Sequence, residues 1–219
     1  LIITPDACYQ HNQIQKQCKI VGTNICLPDA KLHESLKTIL AETNQDALLL
    51  NFKSNTQLQN LPEHWAHLFY LNVNDVIESH QYETTQNMHE ILGKLPNDSV
   101  IETVKTKVIL LRELFSQMIV GSQRWDTFSM FIDKGGVAVK KQVSFAALHY
   151  HFLSATDLSD CSDWPASFQR YSSEGTQQWM VENEQEIIFW HYCHWIIEQQ
   201  LTTLDEFIHT KGHSLGFYK

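Results

Sequence analysis

Six consecutive residues, Trp190, His191, Tyr192, Cys193, His194 and Trp195, include no small and no charged side chain. Any fold open to this chain has to bury them. They lie within residues 176–200, which read as one long helix. At about 100° per residue, Glu184, Ile187, His191, His194 and Glu198 share one arc of roughly 80°. Trp179, Phe189, Trp190, Cys193 and Ile197 share a broad second face, and Ile188, Tyr192 and Trp195 fill the flank between them. A helix that is apolar on nearly every side is buried rather than laid on a surface. It is also too short and too polar at its ends to span a bilayer, which takes about 20 apolar residues. The expectation is a central packing rod with one polar arc.

Composition sets the class of object around that rod. The 219 residues are 43% hydrophobic with only 8 Gly and 5 Pro, which favours helix over a turn-rich β-sandwich. A formal net charge of -9 disfavours nucleic acid and anionic membranes as partners, leaving protein or a small molecule. The five Cys (Cys8, Cys18, Cys26, Cys161, Cys193) contain no CxxC pair and are odd in number. Reduced thiols in an intracellular, cytoplasmic protein fit that pattern better than a disulfide frame.

Along the chain, residues 1–74 carry short apolar runs at 1–4, 20–27, 47–52 and 68–73, with an amphipathic helix expected over 28–43. Strand, helix, strand is a βαβ-type alternation. It predicts a small α/β segment, although no glycine-rich phosphate loop accompanies it. From Asn74 the pattern turns helical, first to about Leu92. Ser99 and Glu102 then form a capping box ahead of Val100, Val104, Val108, Leu111, Phe115 and Met118, an apolar seam closed by Gly121. Lys134, Gly135 and Gly136 mark a turn, and Ser144 caps a helix through Leu153. Thr203 and Glu206 form a second capping box for a short last helix. The fold class expected is α+β, predominantly helical: a small α/β segment at 1–74, then a helical domain at 75–219 around the 176–200 helix.

Two constellations could carry chemistry. The polar arc of the rod offers Glu184, His191, His194 and Glu198, a ligand set that suits Fe, Mn or Zn inside a helical bundle. The His residues are three apart rather than four, no Glu stands three before either, and the bland alternative is a pair of core histidines. The second is 143–158, VSFAALHYHFLSATDL. Through Ser144, Ala147, Leu148, Tyr150, His151 and Phe152 it resembles the recognition-helix segment of TetR-type helix-turn-helix regulators. That resemblance implies a helix N-terminus in the major groove, with Ser144 and His149 near the bases and Lys140 and Lys141 on phosphates. Nucleophilic catalysis finds no GxSxG elbow, and Cys193 belongs to a packed face. Trp190 and Trp195 could wall a pocket for a flat ligand, but aromatics on an all-apolar helix are more often core. The leading expectation from these absences is an intracellular regulatory or protein-interaction protein without catalysis. A metal-dependent helical enzyme and a DNA-binding regulator are the alternatives.

Overall fold

The computed structural model describes residues 18–21, 47–50, 64, 68, 71–80, 100–156 and 160–210. Its elements are β1 (Cys18–Val21), β2 (Ala47–Leu50), α1 (Ile77–His80), α2 (Val100–Ser116), α3 (Gln123–Thr156), α4 (Glu174–Glu182) and α5 (Glu184–Thr210). The chain divides into two compact units. One comprises Leu1–Leu110 with Ile197–Lys219, and the other Leu111–Ile196.

The α+β expectation is corrected here: the described residues are overwhelmingly helical, and no α/β segment is established among them. β1 and β2 pair in parallel, from Cys18 beside Ala47 to Val21 beside Leu50. Two strands of four residues fall short of a self-supporting sheet. The helix expected at 28–43 lies outside the described residues. The described residues of the run at 68–73, expected as a strand, instead close tight turns. Leu71 N–H donates to the Leu68 carbonyl at 3.3 Å and Asp75 N–H to the Asn72 carbonyl at 3.2 Å, leading into a 3-10 turn at Val73–Asp75. Leu68, Leu71 and Val73 are buried. A short apolar run records burial, and burial does not distinguish strand from turn.

In the first unit, Val104 and Val108 of α2 are buried, as the seam predicted, and Leu110 is buried beside them. Lys107 is buried with them, and its ammonium donates to the Leu71 carbonyl at 2.9 Å. A charge-assisted bond of this kind offsets part of the cost of burying a cation. The Gln200 carboxamide of α5 bonds both backbone groups of Asn72, accepting from its N–H at 2.9 Å and donating to its carbonyl at 2.7 Å. The short last helix expected from Thr203 does not exist separately, because α5 runs on to Thr210. Thr202 and Thr203 hydroxyls donate back to the Glu198 and Gln199 carbonyls at 2.8 and 3.0 Å instead of capping a new start.

The second unit is built on aromatics. Phe128 of α3 is fully buried and touches Phe115 (6.2 Å between centroids), Tyr192 (6.1 Å) and Trp195 (5.3 Å). The rod is therefore core, as its composition demanded. It is not one helix, however. The expected 176–200 helix breaks at Asn183 (φ -117°, ψ 38°), which separates α4 from α5. Asn183 bonds twice to the Trp179 carbonyl, through its backbone N–H at 2.9 Å and its side-chain amide at 2.8 Å. An asparagine that satisfies the terminal carbonyls of a helix marks its end. A second core cluster gathers Leu148, Phe152 and Trp164, with Phe168 and Trp179 packed against it.

α3 corrects a further boundary. Its first turn starts at Ser122, whose hydroxyl accepts from Trp125 N–H at 3.2 Å. It then passes through Gly136 at φ 56°, ψ -151°, a conformation that glycine adopts and other residues resist. The expected turn at 134–136 is thus a kink, with helix on both sides. Ser144 is not a cap but a mid-helix residue, its hydroxyl donating to the Lys140 carbonyl at 2.6 Å. Among the described residues, no helix is long and apolar enough to cross a membrane.

Candidate functional site

The second unit carries a cleft of about 370 Å³ where α2, the end of α3, α4 and the start of α5 converge. That volume lies in the range of small-molecule sites, roughly 300–1,000 Å³. Arg112 of α2 and Glu186 of α5 stand on one side as a two-pronged ion pair, with Nη1 to Oε2 at 2.7 Å and Nη2 to Oε1 at 2.5 Å. Trp190 adds a third bond to the carboxylate, its indole N–H donating to Oε1 at 2.8 Å. The guanidinium also lies 4.2 Å from the Phe189 ring centroid. Burial on its own would lower the Arg112 pKa, but the hydrogen bond and charge of Glu186 outweigh it and hold the group above its ordinary value. The pair is locked and charge-neutral.

Aromatic rings also line the cleft or back the pair. His151, on the exposed last turns of α3, lies 5.5 Å from Trp179 of α4. Tyr150 sits 5.6 Å from Trp190, and burial pushes its phenol above its ordinary pKa against the pull of Arg112. Asn183, at the junction of α4 and α5, completes the rim. Its side-chain N–H is committed to the Trp179 carbonyl, which leaves the amide oxygen as an acceptor.

Residues 57–217 match the family model of glycoside hydrolase 77, described as 4-alpha-glucanotransferase. The match covers well over half of the 219 residues. The chain belongs to the 4-alpha-glucanotransferase family. No curated protein was found to match it. Every residue of the cleft, from Arg112 to Glu186, falls inside the stretch shared with the family. Membership of an enzyme family overturns the expectation of a non-catalytic regulatory or interaction protein. That expectation rested on missing short motifs, and a site assembled from dispersed residues leaves none.

The expected site residues are distributed otherwise than the sequence proposed. Glu184 is exposed in the first turn of α5, His191 is buried, and His194 is half-buried with its ring 5.8 Å from Phe131. Glu198 falls in the other unit. Among the described residues, no three His, Cys, Asp or Glu side chains come together to hold a metal ion. Burial, then the charges of His194 and Lys140, push His191 down to about 4, and its Nδ1 has no hydrogen-bond partner among the described residues. It is a core imidazole kept neutral. The residues of the TetR-like reading are placed as follows. Ser144 and His149 are almost wholly inaccessible, so neither can reach a base edge. Lys140 and Lys141 are exposed, but Lys141 lies over the Tyr171 ring at 5.4 Å. Trp190 and Trp195 are buried: Trp190 holds Glu186, and Trp195 lies under Arg124 at 3.9 Å. Burial also raises the Cys193 thiol far above its ordinary range, which removes it as a nucleophile.

Sequence reasoning missed Arg112, Trp179 as a cleft residue, Asn183 and Glu186. One signal was available. Arg112 is a lone cation between Leu111 and Leu114, both buried. A half-buried charge beside an apolar stripe gains from an anionic partner, and Glu186 is the partner it meets.

Proposed function

We propose that the protein acts in 4-alpha-glucanotransferase chemistry, moving a segment of an α-1,4-linked glucan from one chain to another. The observation that carries this reading is the family match over residues 57–217. Its small-molecule partner would then be a neutral oligosaccharide, which suits a cleft whose only charges cancel.

Breaking and remaking a glycosidic bond ordinarily takes two carboxyl groups, one as acid and base and one as nucleophile or base, roughly 5–10 Å apart. The cleft is lined by a single carboxylate, Glu186, and both of its oxygens are engaged. The cleft therefore supplies binding on this reading, and the bond chemistry belongs to other residues. The test incubates the native protein, isolated from its source, and the recombinant chain side by side with maltotriose. Chromatography of the products should show glucose together with oligosaccharides longer than the substrate. If neither preparation forms both products, the reading is refuted.

A further inference from the structure

We propose that the outer faces of α3 and α4 in the second unit dock a second copy of this chain, the cationic face of each copy seating on the anionic face of the other. From Ser129 to Gln142, no residue of α3 is fully buried. A helix inside a protein draws most of its stability from packing one face, and Gly135 and Gly136 in mid-course are poor helix formers. The stretch thus lacks the packing that helices ordinarily have. Val137, Lys140 and Lys141 recur in it at i, i+3 and i+4 and share one side. All three are exposed, Val137 to 65%.

α4 carries the complement. Thr176 and Met180 turn inward, which leaves Glu174, Gln178, Val181 and Glu182 along the outer side. Val181 is 80% exposed, and the Gln178 amide donates to Glu182 Oε1 at 2.8 Å. One face is an exposed valine beside two ammonium groups, and the other is an exposed valine in a row with two carboxylates. Among the described residues, none of these four charges takes part in a salt bridge.

The placing of the two faces selects the partner. The Lys141 ammonium stands 5.4 Å from the centre of the Tyr171 ring, in the loop that leads into α4, so the faces are neighbours on one surface. Neighbouring complementary faces can close about a two-fold axis: each copy gives its cationic face and receives the other's in one isologous contact. Nucleic acid drawn to Lys140 and Lys141 would meet Glu174 and Glu182 beside them, and an acidic peptide would leave Val181 uncovered. A second copy matches both faces and takes the two valines out of water.

The test is sedimentation equilibrium of the full recombinant chain from micromolar to millimolar concentration, with far-UV circular dichroism to verify folding. Wild type should show a monomer–dimer equilibrium. Lys140→Glu with Lys141→Glu should raise the dissociation constant about tenfold or more, because like charges then face one another. Glu174→Lys with Glu182→Lys should do the same. This second pair makes a chain of net charge -9 less negative, so non-specific repulsion alone would favour association, and weakening there is specific to the contact. All four substitutions together restore opposite charges and should return the constant to within about threefold of wild type. Should the α4 pair not fold, Glu182→Lys alone takes its place, since a cation suits the last turn of a helix. A wild-type chain that stays monomeric throughout overturns the contact and leaves the faces to solvent or a different partner. Dimerisation that none of the variants alters puts the interface elsewhere and overturns it too. Tighter association of the α4 variant, or failure of the combined variant to recover, has the same force.

Discussion

Replacing His191 with phenylalanine should remove a defined part of the protein's sensitivity to acid. The imidazole is 4% exposed, its Nδ1 has no partner among the described residues, and burial first, then the neighbouring His194 and Lys140, oppose a proton there. Its pKa is lowered from 6.5 to about 4. In the unfolded chain the same group takes up a proton near pH 6.5. Between those values the unfolded state binds a proton that the folded state refuses, so folding stability falls as pH falls from about 6.5 to about 4. Below the lower value both states are protonated and the loss levels off. Above the upper value the group contributes nothing to the pH dependence. A displacement of that size corresponds to roughly 3 kcal/mol lost across the window. Urea titrations followed by circular dichroism at pH 7.5, 6, 5 and 4.5 give the stability of wild type and His191→Phe. The quantity to read is their difference, because other titrating groups cancel in it. The variant should gain on wild type steadily as pH falls, whatever its offset at pH 7.5. A difference that stays constant from pH 7.5 to 4.5 would refute the reasoning, as would an imidazole proton resonance of His191 titrating near pH 6.5.

Three other expectations follow from contacts already described. Glu186→Gln should lower stability by about 1–2 kcal/mol in urea titration by leaving Arg112 without its counter-ion; the cost is held down because the Arg112 side chain keeps 39% of its exposure. Gly136→Ala should cost about 1–3 kcal/mol by the same measurement, since φ 56° with ψ -151° is a conformation alanine resists, and an unchanged midpoint would rule out the kink as described. In the folded protein a thiol reagent should label exposed Cys161 and leave buried Cys193 untouched, as read by peptide mass mapping; labelling of Cys193 without denaturant would contradict its burial.

The parts of the fold legible in the sequence were those governed by near-neighbour periodicity. Val104, Val108 and Leu111 recur at helical spacing, and all three are buried on α2. Trp190 to Trp195 holds no small or charged side chain, and all of it but the half-buried His194 is core. What could not be read was set by contacts far apart in sequence. Glu186 lies 74 residues from Arg112, and no local pattern links them. The break at Asn183 was hidden because asparagine is only mildly unfavourable inside a helix. Its role as a stop comes from a side-chain bond to the Trp179 carbonyl, visible only in three dimensions. Ser144 and Thr203 were read as caps because their residue types suit caps. Each instead bonds to the carbonyl four residues back, as such side chains do when neighbouring packing carries a helix through them.

The one-residue junction between α4 and α5 has a consequence for how this region can change. Trp179 stands on one side of Asn183 and Glu186 on the other, so the two walls of the cleft share a single pivot. Adding or removing one residue there would turn one wall relative to the other by about 100° and carry the indole away from the ion pair. Substitutions at Asn183 can adjust the cleft by small steps, whereas insertions and deletions would dismantle it. The length of the chain between Trp179 and Glu186 is thus as much a part of the site as either side chain.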